Sequence, residues 1–164
     1  MFATPPWIAI VLIGVAATAV LDLWLFALKR LGVPTGSFAL VGRWMAHMAR
    51  GRFTHASIAR SEPISNELAI GWATHYAVGI AFAALLVALQ GVGWVQQPTI
   101  VPALLTGVAT VVMPLFVMQP AMGAGFAASK TPTPLKNSAR SVANHAVFGG
   151  GLYLAASALA AVAP

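Results

Sequence analysis

Residues 71–79 read GWATHYAVG, an apolar stretch that holds a single histidine, His75. The stretch lies inside a longer run, residues 69–89, that contains no charged residue. A helix needs roughly 20 mostly apolar residues to cross the hydrocarbon core of a bilayer, because each residue advances it by about 1.5 Å. The run therefore predicts a membrane-spanning helix with an ionisable group inside it.

Three other runs have a similar length and character, which gives four predicted spanning helices. The helices are predicted at about 7–28, 69–89, 99–118 and 141–161, with loops at about 29–68 and 119–140. Lipid offers no hydrogen bonds to the backbone, so helices must satisfy their own polar groups, and the alternation typical of strands is missing. The predicted fold class is all-α: an integral membrane bundle of four transmembrane helices that forms a single domain over residues 1–164.

The composition favours a lipid-embedded protein. Of the 164 residues, 59% are apolar and 7% are charged, whereas about 25% of the residues of a soluble domain are charged. A water-facing surface cannot be built from so few charges, so the lipid bilayer is the expected partner. The chain has no cysteine, which excludes disulfides, thiolate metal sites and a thiol nucleophile.

The distribution of basic residues predicts the orientation. All nine Lys and Arg residues fall in the loops at 29–68 and 119–140. Basic loops tend to stay in the cytoplasm, so both termini are predicted to lie outside it. The same residues would contact anionic headgroups, which accounts for the formal net charge of +6 without nucleic acid as a partner.

The first loop contains an apolar segment that is too short to span a membrane. Residues 37–48 read SFALVGRWMAHM and predict an interfacial helix in this cytoplasmic loop. The predicted headgroup or interface contacts are Arg43, Trp44 and Arg52. The loop histidines, His47 and His55, are expected to be solvated or interfacial.

Two short matches indicate an internal repeat. The first and third helices share a GVA motif, in IGVAATAV at 13–20 and TGVATVV at 106–112. The second and fourth share a polar residue, a histidine, three further residues and a glycine, in THYAVG at 74–79 and NHAVFG at 144–149. The chain is therefore predicted to hold two related helix hairpins of the same orientation.

Polar residues from all four helices are predicted to lie toward the cytoplasmic side. Asp22 precedes Lys29 by seven residues, which places it about 10 Å inside the membrane boundary. The predicted polar intramembrane cluster consists of Asp22, His75, Gln119, Asn144 and His145. A carboxylate at a helix centre costs about 2.5–3.5 kcal/mol, so the cluster is a candidate functional site. The alternative is that it only fixes helix packing.

The first functional hypothesis is transport of a small solute or a proton. Asp22 and His75 would form a protonatable pair, since a partner carboxylate shifts the titration of a histidine. Pro114 and Pro120 would break the third helix and supply a moving part. Four helices enclose little room, so a route would form more easily at a homodimer interface or between the two hairpins. The substrate stays open.

The second hypothesis is a b-type haem or metal-binding membrane protein. Histidine is an ordinary axial ligand of haem, and Gly79 and Gly149 would leave room for the ring four residues after each histidine. Copper(I) is the other possibility, because it favours soft ligands such as methionine. The candidate haem or metal ligands are His75, His145, Met118 and Met122.

A structural or accessory membrane subunit is the third hypothesis. Asp22 and His75 could also serve as an acid–base pair, but no substrate-binding feature accompanies them. No Ser/His/Asp spacing or phosphate-binding glycine loop is present, so the sequence predicts no catalytic residue and favours a protein that is not an enzyme.

Several motifs cover most of the chain: LVGRW at 40–44, GRFTHASI at 51–58, GWATHYAVG at 71–79, MQPAMGAGFAASKTPTP at 118–134 and HAVFGGGLYL at 145–154. Together they resemble a family of small bacterial inner-membrane proteins known only as a domain of unknown function with four predicted helices. The resemblance implies a bacterial inner membrane and no established activity, substrate or cofactor. Any family site would map onto Asp22, Arg43, His75, Gln119 and His145.

Overall fold

The computed structural model describes residues 5–162, and that part of the chain contains helices, turns and loops but no strand. The helices are α1 (Pro6–Arg30), α2 (Phe38–Met48), α3 (Glu67–Gln90), α4 (Ile100–Ala109), α5 (Gln119–Ala121) and α6 (Pro134–Val162). A π-helical segment, Met113–Met118, precedes α5, and short 3-10 turns occupy Ile58–Arg60, Val92–Val95 and Phe126–Ala128. The predicted all-α fold is confirmed.

Four helices are long and apolar enough to cross a membrane, as predicted. They are Pro6–Arg30, Glu67–Gln90, Ile100–Ala121 and Pro134–Val162. The fourth begins at Pro134 rather than near residue 141, so the predicted loop at 119–140 is helical at both ends. Its first two turns carry Lys136, Asn137 and Arg140. These residues are compatible with a helix, but they interrupt the apolar run from which the start near residue 141 was predicted.

The described chain divides into two compact units. One unit, here called the helix unit, is drawn from Met1–Pro34, Tyr76–Thr110 and Asn144–Pro164. The other, here called the loop unit, is drawn from Thr35–His75 and Val111–Ala143. The single domain over residues 1–164 stays a prediction.

Glycines bring helices into backbone contact in the helix unit. A Cβ added at Gly14 in α1 would lie 2.5 Å from the Cα of Ile80 in α3. A Cβ added at Gly107 in α4 would lie 2.5 Å from the Cα of Gly149 in α6. Neither position can hold a side chain without moving a helix, which is how small residues serve membrane helix packing.

The two glycine contacts occupy equivalent positions in the predicted repeat. The sequence repeat aligns Gly14 with Gly107 and Gly79 with Gly149. In each hairpin, the glycine of one helix lies close to the glycine of the other. A Cβ at Gly14 would approach Gly79 O at 3.1 Å, and a Cβ at Gly149 would approach Gly107 Cα at 3.3 Å. Both hairpins therefore have a close glycine contact at the positions that the sequence repeat aligns, and the relation between the two hairpins stays a prediction.

The rest of the helix unit packs in the ordinary way of apolar helices. Its fully buried side chains include Ile13, Leu86 and Leu152, each at most 1% exposed. Large apolar side chains on the opposite faces are exposed, such as Leu23 at 70% and Leu105 at 66%. A bilayer would cover these faces, since water would not favour them.

The loop unit contains the predicted short helix in the first loop. Residues Phe38–Met48 form α2, close to the predicted 37–48, and its position at a membrane interface stays a prediction. The turn before α3 is closed by a side chain, because the N–H of Ile64, three residues ahead of the helix, donates to Glu67 Oε2 at 3.1 Å.

Candidate functional site

Asp22 in α1 has a hydrogen-bond donor on the neighbouring helix. The phenol Oη of Tyr76 in α3 donates to Asp22 Oδ2 over 2.8 Å. Both side chains are partly buried in the helix unit. Asp22 was predicted as a site residue and Tyr76 was not, although Tyr76 directly follows His75 in GWATHYAVG.

Asn144 and His145 lie at the start of the α6 segment that belongs to the helix unit. The indole N–H of Trp24 donates to Asn144 Oδ1 over 3.0 Å. His145 Nδ1 lies 3.0 Å from Thr110 Oγ1 and 3.2 Å from Gly107 O. Thr110 already donates its hydroxyl proton to Gly107 O, so both oxygens can accept from His145 and its Nδ1 carries the proton.

His75 and Gln119 belong to the loop unit. The His75 ring packs against Phe38, with the centroids 4.4 Å apart. Gln119 Nε2 approaches Ser141 Oγ at 3.5 Å, while its buried Oε1 has no hydrogen-bond partner among residues 5–162. Within the helix unit the structure brings Asp22 to Tyr76, Asn144 to Trp24 and His145 to Thr110.

The space predicted for a haem ring is occupied. A Cβ at Gly79 would meet the Thr18 hydroxyl, and one at Gly149 would lie 2.8 Å from Ala103 O. The two glycines therefore serve helix contacts. Residues 5–162 also contain no group of three or more His, Cys, Asp or Glu residues placed to hold a metal ion. The structure therefore lacks the room beside Gly79 and Gly149 on which the haem prediction depends.

An arginine–glutamate ion pair lies at the centre of the loop unit. Arg43 Nε and Nη2 donate to Glu67 Oε2 and Oε1, each over 2.8 Å. Its Nη1 donates to the carbonyls of Ile58, Ala59 and Ser61 at 3.1–3.3 Å. The hydrogen bond to Glu67 raises the pKa of Arg43 above its already high ordinary value. The guanidinium fork thus joins α2, the loop and α3 through protein groups.

The other two predicted interface residues differ from Arg43. The Trp44 indole donates to Phe53 O at 2.9 Å, and Arg52 is exposed. Arg43, by contrast, is 9% exposed, and all three of its nitrogens donate to protein groups. Of the three, Arg52 has the exposure that a headgroup contact requires.

The loop histidines are buried, whereas the sequence predicted solvated or interfacial side chains. His47 is 4% exposed and His55 is 6% exposed. His47 Nδ1 lies 2.8 Å from His55 Nε2, and His47 Nε2 lies 3.1 Å from Glu62 O. The available sequence signal was the GRFTHASI motif, which contains His55 and belongs to the family resemblance.

The segment that carries His55 docks on the residues after the π-helical segment. The N–H groups of His55 and Ile58 donate to Ala121 O at 2.8 Å and Met122 O at 3.0 Å. Gly123, at φ +94°, packs so closely that a Cβ would meet Ala56 O. Two motifs of the resemblance, at 51–58 and 118–134, are therefore partners in space.

Residues 11–159 match the family described as "Protein of unknown function (DUF2938)". The chain belongs to this family. The match covers both Asp22 and the paired loop histidines, and the predicted resemblance to a family of unknown function is confirmed. No curated protein and no solved structure matches the chain. What this DUF2938 protein does must therefore be argued from its own residues.

Proposed function

We propose that this DUF2938 protein is a small-solute, proton-linked transporter of the bacterial inner membrane, and that Asp22 is its proton-binding group. The observation that carries the proposal is the 2.8 Å hydrogen bond from Tyr76 to Asp22. Both residues lie on helices that are long and apolar enough to cross a membrane. An ionisable residue in such a place is costly, and it is typical of ion and proton pathways.

The phenol suits a carboxyl group that changes protonation state. The Tyr76 hydroxyl donates a hydrogen bond to Asp22 when Asp22 is charged, and the phenol oxygen can accept a hydrogen bond from the carboxyl O–H when Asp22 is neutral. The pair therefore stays hydrogen-bonded in both states, which limits the free-energy difference between them. A buried lysine or arginine would instead hold the carboxylate in its charged form.

The break in the third membrane helix supports a moving part. The span Ile100–Ala121 changes from α-helix to the π-helical segment Met113–Met118, with Pro114 inside it and Pro120 just beyond. Single π-helical turns are often found at functional sites. Broken helices are tolerated in membranes where neighbouring groups satisfy the backbone, as in many transporters.

The orientation and the assembly follow from the same proposal. The basic residues of the two loops favour their location in the cytoplasm, with both termini outside. The glycine contacts of the two hairpins favour a repeat of the kind that many transporters contain. A homodimer would give a route more room than four helices provide.

The test is proton movement in vesicles. The purified protein would be reconstituted into liposomes with an imposed pH gradient and an internal pH-sensitive dye, and a panel of monovalent cations and small organic cations and anions would be added. We expect at least one solute to collapse the gradient with the wild-type protein. Asp22→Asn keeps an acceptor for Tyr76 but does not titrate, so it should abolish the response.

A matched control separates the site from general loss of charge. Glu62 is an exposed loop carboxylate, and Glu62→Gln should transport like the wild-type protein. Full activity of Asp22→Asn would contradict the proposal and favour a packing role for the pair. So would a wild-type protein that leaves the gradient unchanged with every solute.

A further inference from the structure

The His47–His55 pair is outside the proposed transport site and has a geometry of its own. Both rings are buried, and neither belongs to a helix that is long and apolar enough to cross a membrane. The ring centroids are 5.0 Å apart, and one nitrogen of each ring faces the other at 2.8 Å. Two nitrogens at that distance must share one proton between them.

The hydrogen-bond partners fix the protons of the neutral pair. Glu62 O is a backbone carbonyl and can only accept, so His47 Nε2 carries a proton. Neutral His47 then has its lone pair on Nδ1, and His55 must donate from Nε2. The lone pair of neutral His55 is therefore on Nδ1, a buried atom with no hydrogen-bond partner among residues 5–162.

A single added proton has only one outcome for that atom. If His55 takes the charge, its Nδ1 gains the proton directly. If His47 takes the charge, its Nδ1 donates to His55 Nε2, and neutral His55 must then carry its proton on Nδ1. In both cases one positive charge is added to two rings that are only 4% and 6% exposed, and this burial disfavours the charge although the Ala121 backbone can hydrogen-bond to the His55 ring.

We propose that the His47–His55 pair is a proton-sensing site that holds the loop unit closed when neutral and opens it when one proton is added. The segment that would be released contains His55 and Ile58, whose N–H groups bind Ala121 and Met122 just after the π-helical segment. The proposal concerns a different part of the molecule from Asp22, so it stands whether or not Asp22 carries protons.

The charged residues around the pair act in opposite directions. The positive charge of Arg52 opposes a proton on His55, whereas the carboxylate of Glu67, which is itself paired with Arg43, attracts a positive charge on His47. The segment 119–125, QPAMGAG, has no titratable residue that could compensate an added charge. Burial first, and then the charges of Arg52 and His47, lower the pKa of His55 below its ordinary value of 6.5, and a hydrogen bond with the Ala121 backbone offsets part of that shift.

The lowered pKa of His55 decides how the stability of the closed segment depends on pH. The open segment exposes a histidine of ordinary pKa, so it binds more protons than the closed segment just below pH 6.5. The closed form is therefore fully favoured above about pH 6.5 and loses stability as the pH falls below it.

A metal ion does not explain the pair equally well. Two nitrogens bound to one tetrahedral zinc at about 2.0–2.1 Å would lie roughly 3.3 Å apart, whereas these lie 2.8 Å apart. The short distance is that of a hydrogen bond.

The test is hydrogen–deuterium exchange of residues 53–58 and 119–124 in the full protein in lipid nanodiscs at pH 7.5 and 5.5. After correction for the intrinsic pH dependence of exchange, we expect the wild-type segments to exchange about tenfold faster at the lower pH. His55→Gln keeps an Nε2 donor for His47 but cannot titrate, so its corrected exchange should be independent of pH. His145→Gln, a control in the helix unit, should respond like the wild-type protein.

The result that would overturn the proposal is a wild-type response that is absent, or one that His55→Gln retains. Arg52→Gln offers a second test that leaves the histidines in place. Removing this exposed positive charge should bring the pKa of His55 in the closed form nearer its ordinary value and so reduce the increase in exchange between pH 7.5 and 5.5, and an unchanged increase would also count against the proposal.

Discussion

The helix unit and the loop unit use different contacts to hold their elements together. In the helix unit, glycines such as Gly14 and Gly107 let backbones touch, and the buried side chains are mainly aliphatic. In the loop unit, the buried contacts include an ion pair and a histidine pair, Arg43–Glu67 and His47–His55. The glycine contacts depend on the shape of the packed helices. The polar contacts depend on hydrogen-bond partners, so replacing one residue of a pair leaves the other without its partner.

The largest effect should come from the ion pair. Arg43→Ala leaves Glu67 and three carbonyls without their donor, and we expect the largest fall in unfolding temperature among the variants of the two units. Arg50→Ala, at an exposed arginine two residues after α2, is the control and should change little. Thermal unfolding of the detergent-solubilised variants measures both. Equal unfolding temperatures of Arg43→Ala and Arg50→Ala would contradict the importance of the ion pair for the loop unit.

An intermediate effect should come from the glycine contacts. Gly149→Ala places a Cβ 2.8 Å from Ala103 O, and such overpacking costs about 1–3 kcal/mol. Gly150 in the same helix has nothing within 4 Å of its added Cβ, so Gly150→Ala should be neutral or stabilising by up to about 1 kcal/mol. The same unfolding assay distinguishes them, and similar values would show that close packing does not matter here.

The smallest effect should come from the exposed hydrogen bond in the helix unit. Trp24→Phe removes the N–H that Asn144 accepts, and Trp24 is 37% exposed. We expect a loss of no more than about 0.5–1 kcal/mol, because the bond can be replaced by solvent or headgroups. A loss as large as that of Arg43→Ala would mean that polar contacts dominate both units.

The membrane helices could be predicted because their signal is local. An apolar run of sufficient length is complete in the sequence, and the spans 7–28 and 69–89 differ from α1 and α3 by only one or two residues at each end. The late start predicted for the fourth helix has the same origin, since Lys136 and Arg140 interrupt the apolar run without interrupting the helix.

The polar contacts could not be predicted because they join distant residues. Arg43 pairs with Glu67 over 24 positions and Tyr76 with Asp22 over 54. Nothing in the loop sequence distinguishes a buried histidine from a solvated one, so His47 and His55 gave no local sign of their pairing. The sequence identified Asp22 through its isolation in an apolar helix, but not the phenol that accompanies it.

The π-helical segment Met113–Met118 sets the register of everything that follows it in the same helix. A π-helical turn contains one residue more than an α-helical turn, and successive residues of an α-helix are about 100° apart. Side chains from Gln119 onward are therefore rotated by about 100° from where an uninterrupted helix would place them. Deleting one residue from the segment would turn Gln119 away from Ser141, its present neighbour. The segment therefore acts as a one-residue insertion, and its length decides that Gln119 faces Ser141.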